Sequence, residues 1–126
     1  MAIEIGLKHS SSLVVEEQHL AKNVGSGDLA VLGTPIMMAL MENAAMLAVA
    51  SELEAGQSTV GGQITSTHLK PTGLGHQVTA TAELVKVEGR KLTFRISASD
   101  EEGVIGEGEH LRFVINVEKF MSKIRY

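Results

Sequence analysis

Residues 33–53 read GTPIMMALMENAAMLAVASEL, and the architecture depends on what must cover them. Thr34 and Pro35 open the stretch as a helix opens. Threonine is a good N-cap, and proline suits the first helical position because it has no N–H to lose there. From Pro35 to Ala50 the only charge is Glu42. A helix this apolar on nearly all sides is expected to be buried on nearly all sides. The pattern predicts a helix to about Leu53, ahead of Gly56, with a length of about 28 Å.

Beyond Gly56 the period changes from helical to two. Val60, Ile64 and His68 share one parity, as do Val78, Ala80, Ala82 and Leu84, and then Leu92, Phe94, Ile96 and Ala98. Such alternation predicts strands with one face inward. Glu88-Gly89 and Glu101-Glu102-Gly103 lie between them as turn signals, so tight antiparallel hairpins are expected, with a last strand over about Val104–Val117. Upstream, Ser11–Val15 is β-prone, and the polar stretch Glu16–Asp28, with Gly25, Ser26 and Gly27, reads as a loop. One buried helix and a run of antiparallel strands imply a sheet wrapped round the helix. One small sheet cannot cover so apolar a helix. A second copy pairing edge to edge would complete the cover and remove an exposed strand edge, so a homodimer is expected.

The 126 residues give room for one domain over 1–126, and 44% apolar with 21% charged residues is an ordinary globular balance. A formal charge of −4, no basic stripe and only three Phe, one Tyr and no Trp argue against nucleic acid, which needs phosphate neutralisation and base stacking. The absence of cysteine removes disulfides, thiolate nucleophiles and Cys-ligated metals. No apolar run is long enough for a membrane span, the longest being interrupted by Glu42 and Asn43, and a cytoplasmic protein is expected.

Three residues stand out chemically. A carboxylate inside an apolar helix costs several kcal/mol unless paired, protonated or facing a cavity, so Glu42 either lies on a narrow solvent stripe or serves a site. Thr34, eight residues earlier, is some 12 Å away in helical rise on one side of the helix; it is either a plain N-cap or part of one elongated cleft. His68, on an unbroken strand, would point towards the helix as a core residue or a site residue. His9 and His19 in the polar N-terminal region, His76 beside a Gly-rich turn and His110 in mid-strand are weaker candidates, and their spacing does not resemble a metal site.

The stretches VLGTPIMMALMENAAM, GGQITSTHLKPTGLG and VTATAELVKVEGRKLTFRISASDEEGVIGEGEHLRFVI together resemble the hotdog-fold thioesterases related to fluoroacetyl-CoA thioesterase, over most of the chain. The resemblance implies an α+β hotdog fold, a five-stranded antiparallel sheet wrapped around one long central helix, with active sites between the subunits of a homodimer, alone or as a dimer of dimers. It implies hydrolysis of an acyl-CoA or acyl-carrier thioester by Thr34, Glu42 and His68, without metal or cofactor. Glu42 would be nucleophile or general base, His68 proton shuttle and Thr34 a donor to the carbonyl. It also places Gly61 and Gly62 near the acyl group and makes Arg112 a contact for substrate phosphates or for the site's hydrogen bonds. The stretch Val24–Leu32, expected over the pocket, has no Phe where the fluoroacetyl enzyme carries an aromatic lid, which argues against fluoroacetyl as the acyl group. The Met-rich face of Met37, Met38, Met41 and Met46 would shape an acyl pocket or simply fill the core. A non-catalytic hotdog module binding a thioester or small hydrophobic ligand is the alternative, and a hydratase on the same fold ranks after it for want of an Asp-to-His helix motif.

Overall fold

The computed structural model describes residues 3–126. Strand β1 (Lys8–Val14) leads through a 3-10 turn (Glu17–His19) and helix α1 (Ala21–Val24) to the long helix α2 (Thr34–Ala50), and then come β2 (Gln57–Ser66), β3 (Gln77–Glu88), β4 (Lys91–Asp100), β5 (Gly103–Asn116) and a short helix α3 (Val117–Met121). The five strands form one antiparallel sheet in the order β1-β3-β4-β5-β2. β2 therefore pairs with β5 and not with its sequence neighbour β3, and only β3-β4-β5 are joined by tight turns, at Gly89 and Gly103, both at positive φ.

Helix α2 packs chiefly across β1 and β3. The inward residues of β3 and β4 follow the expected parity: Val78, Ala80, Ala82, Leu84, Leu92, Phe94, Ile96 and Ala98 are all buried. Ala80 and Ala82 alternate along β3, which packs against α2, and Phe94 lies on β4 between Leu84 and His110. Met37, Met41, Ala44, Ala45, Ala48 and Val49 form the buried side of α2. The helix is not covered all round. Met46 and Leu47 are 37% and 41% exposed, so one flank of α2 remains apolar and open.

Three local expectations change. The N-cap of α2 is Gly33, without a side-chain cap, and Thr34 is the first helical residue, because its hydroxyl is engaged elsewhere. The stretch Glu16–Asp28 is not simply loop: it holds the 3-10 turn and α1, since Leu20 and Ala21 are buried in the core and anchor it. The β2 parity breaks. A bulge between Gly61 and Gln63 shifts the register, so Val60 pairs with Phe113 and faces outward, whereas Thr59 before the bulge and Ile64 after it face inward. His68, which lies beyond β2, keeps the inward parity of Ile64 because both follow the bulge. Among the described residues no helix is long and apolar enough to cross a membrane.

Candidate active site

The sequence places Thr34 and His68 34 residues apart; the fold puts them in contact. The end of α2 presents Thr34 at the surface, and the chain leaving β2 stays on the edge of β5 through Thr67 N–H to the Glu107 carbonyl (2.9 Å) and Leu69 N–H to the Ile105 carbonyl (2.9 Å). This carries His68 to the helix start, where its Nδ1 lies 2.8 Å from Thr34 Oγ1. The hydroxyl and the ring nitrogen can each donate or accept, so the pair can pass a proton either way. Burial holds the imidazole below its ordinary pKa, so it is neutral at pH 7 and able to act as a base. Its Nε2 is buried with no hydrogen-bond partner among the described residues.

A cleft of about 260 Å³ opens beside this pair, lined further by Ala21, Ser26, Val31, Leu32, Leu69, Lys70 and Pro71. Part of the stretch 24–32 thus borders the cleft, with aliphatic and small side chains. Met37 and Met41 do not line it but are core. Its far wall is anchored through Asp100, a carboxylate only 7% exposed. Burial raises the Asp100 pKa, but bonds from Glu102 N–H (2.9 Å), Thr72 Oγ1 (2.9 Å) and Lys70 Nζ (3.1 Å) outweigh it, so the net shift is downward. The Thr72 carbonyl in turn accepts from Leu32 N–H (2.8 Å). One buried acid therefore ties the segment after His68 to the segment before Thr34.

Glu42 does not join this pair within the chain. It lies about two helical turns further along α2, some 12 Å in rise, in a second cluster with Gly61, His110 and Arg112. A Cβ at Gly61 would stand 2.9 Å from Glu42 Oε2, 3.2 Å from His110 Cε1 and 3.6 Å from Arg112 Nη1, so glycine is needed for the carboxylate to lie where it does. Arg112, 6% exposed, donates from Nε to Thr59 Oγ1 (2.9 Å) and from Nη2 to the Thr59 carbonyl (2.9 Å). Burial lowers its pKa and the Glu42 charge opposes that, which leaves a guanidinium cation facing a carboxylate. Gly62 is turned away: a Cβ there would run into the Phe113 ring on the outer side. Of the sequence candidates, then, Thr34 meets His68, Glu42 lies against Gly61 and near Arg112 without forming an ion pair with it, and Gly62 belongs to neither cluster.

His110, set aside in the sequence, is 1% exposed and central to the second cluster. Its Nδ1 lies 2.8 Å from the Gln63 carbonyl and its Nε2 3.2 Å from Arg112 Nη1. The signal was present: His110, Arg112 and Val114 share a parity, and Val114 is core. Elsewhere, His76 pairs with Glu101 on an exposed turn, and His19 Nδ1 accepts from the Glu16 N–H. Among the described residues no group of three or more His, Asp or Glu could hold a metal ion.

The fluoroacetyl-CoA-specific thioesterase family (FlK) matches residues 15–118. The fluoroacetyl-CoA thioesterase of Streptantibioticus cattleyicolor is 47% identical over 95 residues, which cover 75% of this chain and 68% of that protein. A solved structure of the fluoroacetyl-CoA thioesterase FlK superposes with a TM-score of 0.89 at 38% identity, covering 98% of this chain and 96% of that one. A variant of that enzyme in complex with fluoroacetate and CoA gives 0.88 at 37% identity over 94% and 99% of the two chains. A thioesterase-superfamily protein from Thermus thermophilus gives 0.90 at 25% identity over 97% and 90%. With most of its length matched, the chain belongs to the fluoroacetyl-CoA-specific thioesterase family and is a thioester hydrolase of the hotdog fold.

Proposed function

We propose that this chain hydrolyses small acyl-CoA thioesters at composite sites between two copies, with Glu42 supplied by one copy and the Thr34–His68 pair by the other. The observation that carries the proposal is the separation of the two clusters. Reacting groups must come within about 3–3.5 Å of the atoms they act on, which one carbonyl cannot satisfy across about 12 Å of helix. The sheet order leaves β2, which carries Gly61 and leads to His68, on an edge, and the flank of α2 with Met46 and Leu47 is open. A second copy pairing along β2 would cover both and, by two-fold symmetry, would form two equivalent sites. His68 Nε2, without a partner among the described residues, would then meet groups of the other copy or the substrate.

In the reaction, Thr34 and the start of α2 hold the thioester carbonyl, where a donor and a helix N-terminus favour developing negative charge. Acting as a base, Glu42 takes a proton from water while the water oxygen bonds to the carbonyl carbon; the C–S bond then breaks and the proton goes to the departing thiolate, with neutral His68 relaying it. Acting as nucleophile, the Glu42 carboxylate bonds to the carbonyl carbon as the C–S bond breaks and the thiolate leaves. Water then opens the anhydride, regenerating the Glu42 carboxylate and releasing the acid, whose proton neutralises the thiolate. The relative crystallised with fluoroacetate and CoA supports CoA as the carrier. Ser26, Val31 and Leu32 line the cleft with no aromatic ring among residues 24–32, which favours an acyl group other than fluoroacetyl. The lack of cysteine suits a reducing, cytoplasmic setting.

The test is complementation between two inactive variants, E42Q and H68A, refolded or co-expressed together. If the site is composite, a mixed dimer keeps one intact site of two, and a random mixture recovers about a quarter of wild-type activity. If each site draws all three residues from one chain, every site in the mixture carries a lesion and no activity returns.

A further inference from the structure

The hydrogen-bond chemistry of His110 fixes its state. The Gln63 carbonyl can only accept and the Arg112 guanidinium can only donate, so His110 must be the neutral imidazole with its proton on Nδ1, giving to Gln63 at 2.8 Å and receiving from Arg112 Nη1 at 3.2 Å. Three of the four contacts that define this cluster run to β2: His110 to Gln63 at the bulge, and Arg112 twice to Thr59 ahead of it. The fourth, between His110 and Arg112, sets where the remaining guanidinium nitrogen points. That nitrogen and Glu42 Oε2 both lie within 3.6 Å of the point where a Gly61 Cβ would stand. Phe94 closes the cluster from β4, its ring centroid 6.4 Å from that of His110. A buried cation of this kind is poised only if every donor has an acceptor.

We infer that His110 is a positioning residue for thioester hydrolysis: its unprotonated Nε2 holds Arg112 in the orientation that places the guanidinium beside the Glu42 carboxylate. The inference rests on the reading of Glu42 as a catalytic group. His110 itself touches neither Glu42 by hydrogen bond nor the cleft beside Thr34, so it acts through Arg112.

Two substitutions separate this role from mere support of the strand. Asparagine reaches as far as Nδ1, so H110N keeps the donor to Gln63 and loses the acceptor for Arg112. Glutamine reaches as far as Nε2, so H110Q keeps that acceptor. With thiol release from an acyl-CoA panel as the assay, kcat of H110N is expected to fall at least about tenfold with KM little changed, whereas H110Q stays within a few-fold of wild type. Because His110 works through Arg112, R112M and H110N/R112M should have the same kcat within about twofold. A folded H110N with wild-type kcat, or losses that multiply in the double variant, would overturn the inference. Should H110N not fold, H110Q carries the test alone: kcat near wild type upholds the role of the acceptor, and a folded H110Q more than about tenfold slower overturns it. E42Q in the same assay keeps the two claims apart. Near-normal turnover there removes the catalytic reading of Glu42, while the comparison of H110N with H110Q still reports whether His110 acts through Arg112.

Discussion

Gly61→Ala is the sharpest probe of the carboxylate cluster, because the added methyl group would affect activity and stability through different atoms. The new Cβ would stand 2.9 Å from Glu42 Oε2. An ordinary C···O contact is about 3.3 Å or more, so the oxygen must retreat by roughly 0.4 Å. The far end of a glutamate side chain can do this by small torsional changes, so the cost to folding is low. His110 Cε1, at 3.2 Å, must also give slightly, but Gly61 is not at positive φ, and alanine there reduces the freedom of the unfolded chain. That gain, about 0.4–1 kcal/mol, and the crowding oppose each other, so stability should stay within about 1 kcal/mol of wild type. Catalysis is less tolerant: a misplacement of about 1 Å can cost about a hundredfold, so a shift of roughly 0.4 Å costs on the order of tenfold. We expect kcat to fall roughly tenfold with KM little changed, read by thiol release from acyl-CoAs alongside urea melts. Unchanged kcat with raised KM would place Gly61 against the acyl group rather than the carboxylate. A tenfold loss accompanied by a large drop in stability would refute the steric reasoning.

Other outcomes follow from the same geometry. Thr34→Val should reduce kcat about tenfold or more while costing less than about 0.5 kcal/mol of stability, because Thr34 is not the helix cap; a urea-melt loss of 1–2 kcal/mol would instead restore the capping role. Burial holds both His68 and His110 below the ordinary imidazole value of about 6.5, so the unfolded chain binds more protons between the folded and unfolded pKa values. Stability is therefore expected to be full above about pH 6.5 and to decline as pH falls below it, by at most about 1.4 kcal/mol per pH unit from buried His110, and urea midpoints from pH 5 to 8 would show a flat line if this were wrong. Asp100→Asn removes the charge that Lys70 and Thr72 bind, and should lower stability by about 1–3 kcal/mol in urea melts while slowing turnover, since the segments bearing His68 and Thr34 both hang from it. Gly108→Ala places a Cβ on the Thr65 carbonyl oxygen, and 2.7 Å from Ser66 Cα, backbone that cannot turn aside, so soluble folded protein should be lost, as judged by expression and circular dichroism.

The long helix was legible because Pro35 to Ala50 carries one charge, and β3 and β4 because their buried residues alternate without interruption. Val60 was misleading because a bulge is invisible to a parity count: one extra residue inverts the pattern without altering composition. Thr34 was legible as a residue of note but not in its partner, since the bond to His68 joins positions 34 residues apart and depends on β2 crossing to β5. His110 and Arg112 looked like polar residues in mid-strand; only the Thr59 and Gln63 acceptors on the adjacent strand explain how they can be buried. Glu42 was conspicuous through its cost, yet its neighbours came from β2 and β5, which no local pattern specifies.

The bulge at Gly61–Gln63 also acts as a phase setter for the second half of the chain's chemistry. Ahead of it, Thr59 faces α2 and holds Arg112; behind it, Ile64 and His68 face the same way only because one residue has been added between them. A straight strand through all of these residues would send Ile64 to solvent and His68 away from Thr34. Deleting Gly62 would instead remove the extra residue and the bulge together, leaving Gln63 opposite Leu111, Ile64 opposite His110 and both Ile64 and His68 inward by plain alternation. One residue can thus be lost here along with the bulge, whereas a Cβ at Gly61 or Gly62 meets the Glu42 carboxylate or the Phe113 ring. In β3 or β4, whose alternation is unbroken, loss of a single residue would instead turn the buried half of the strand outward.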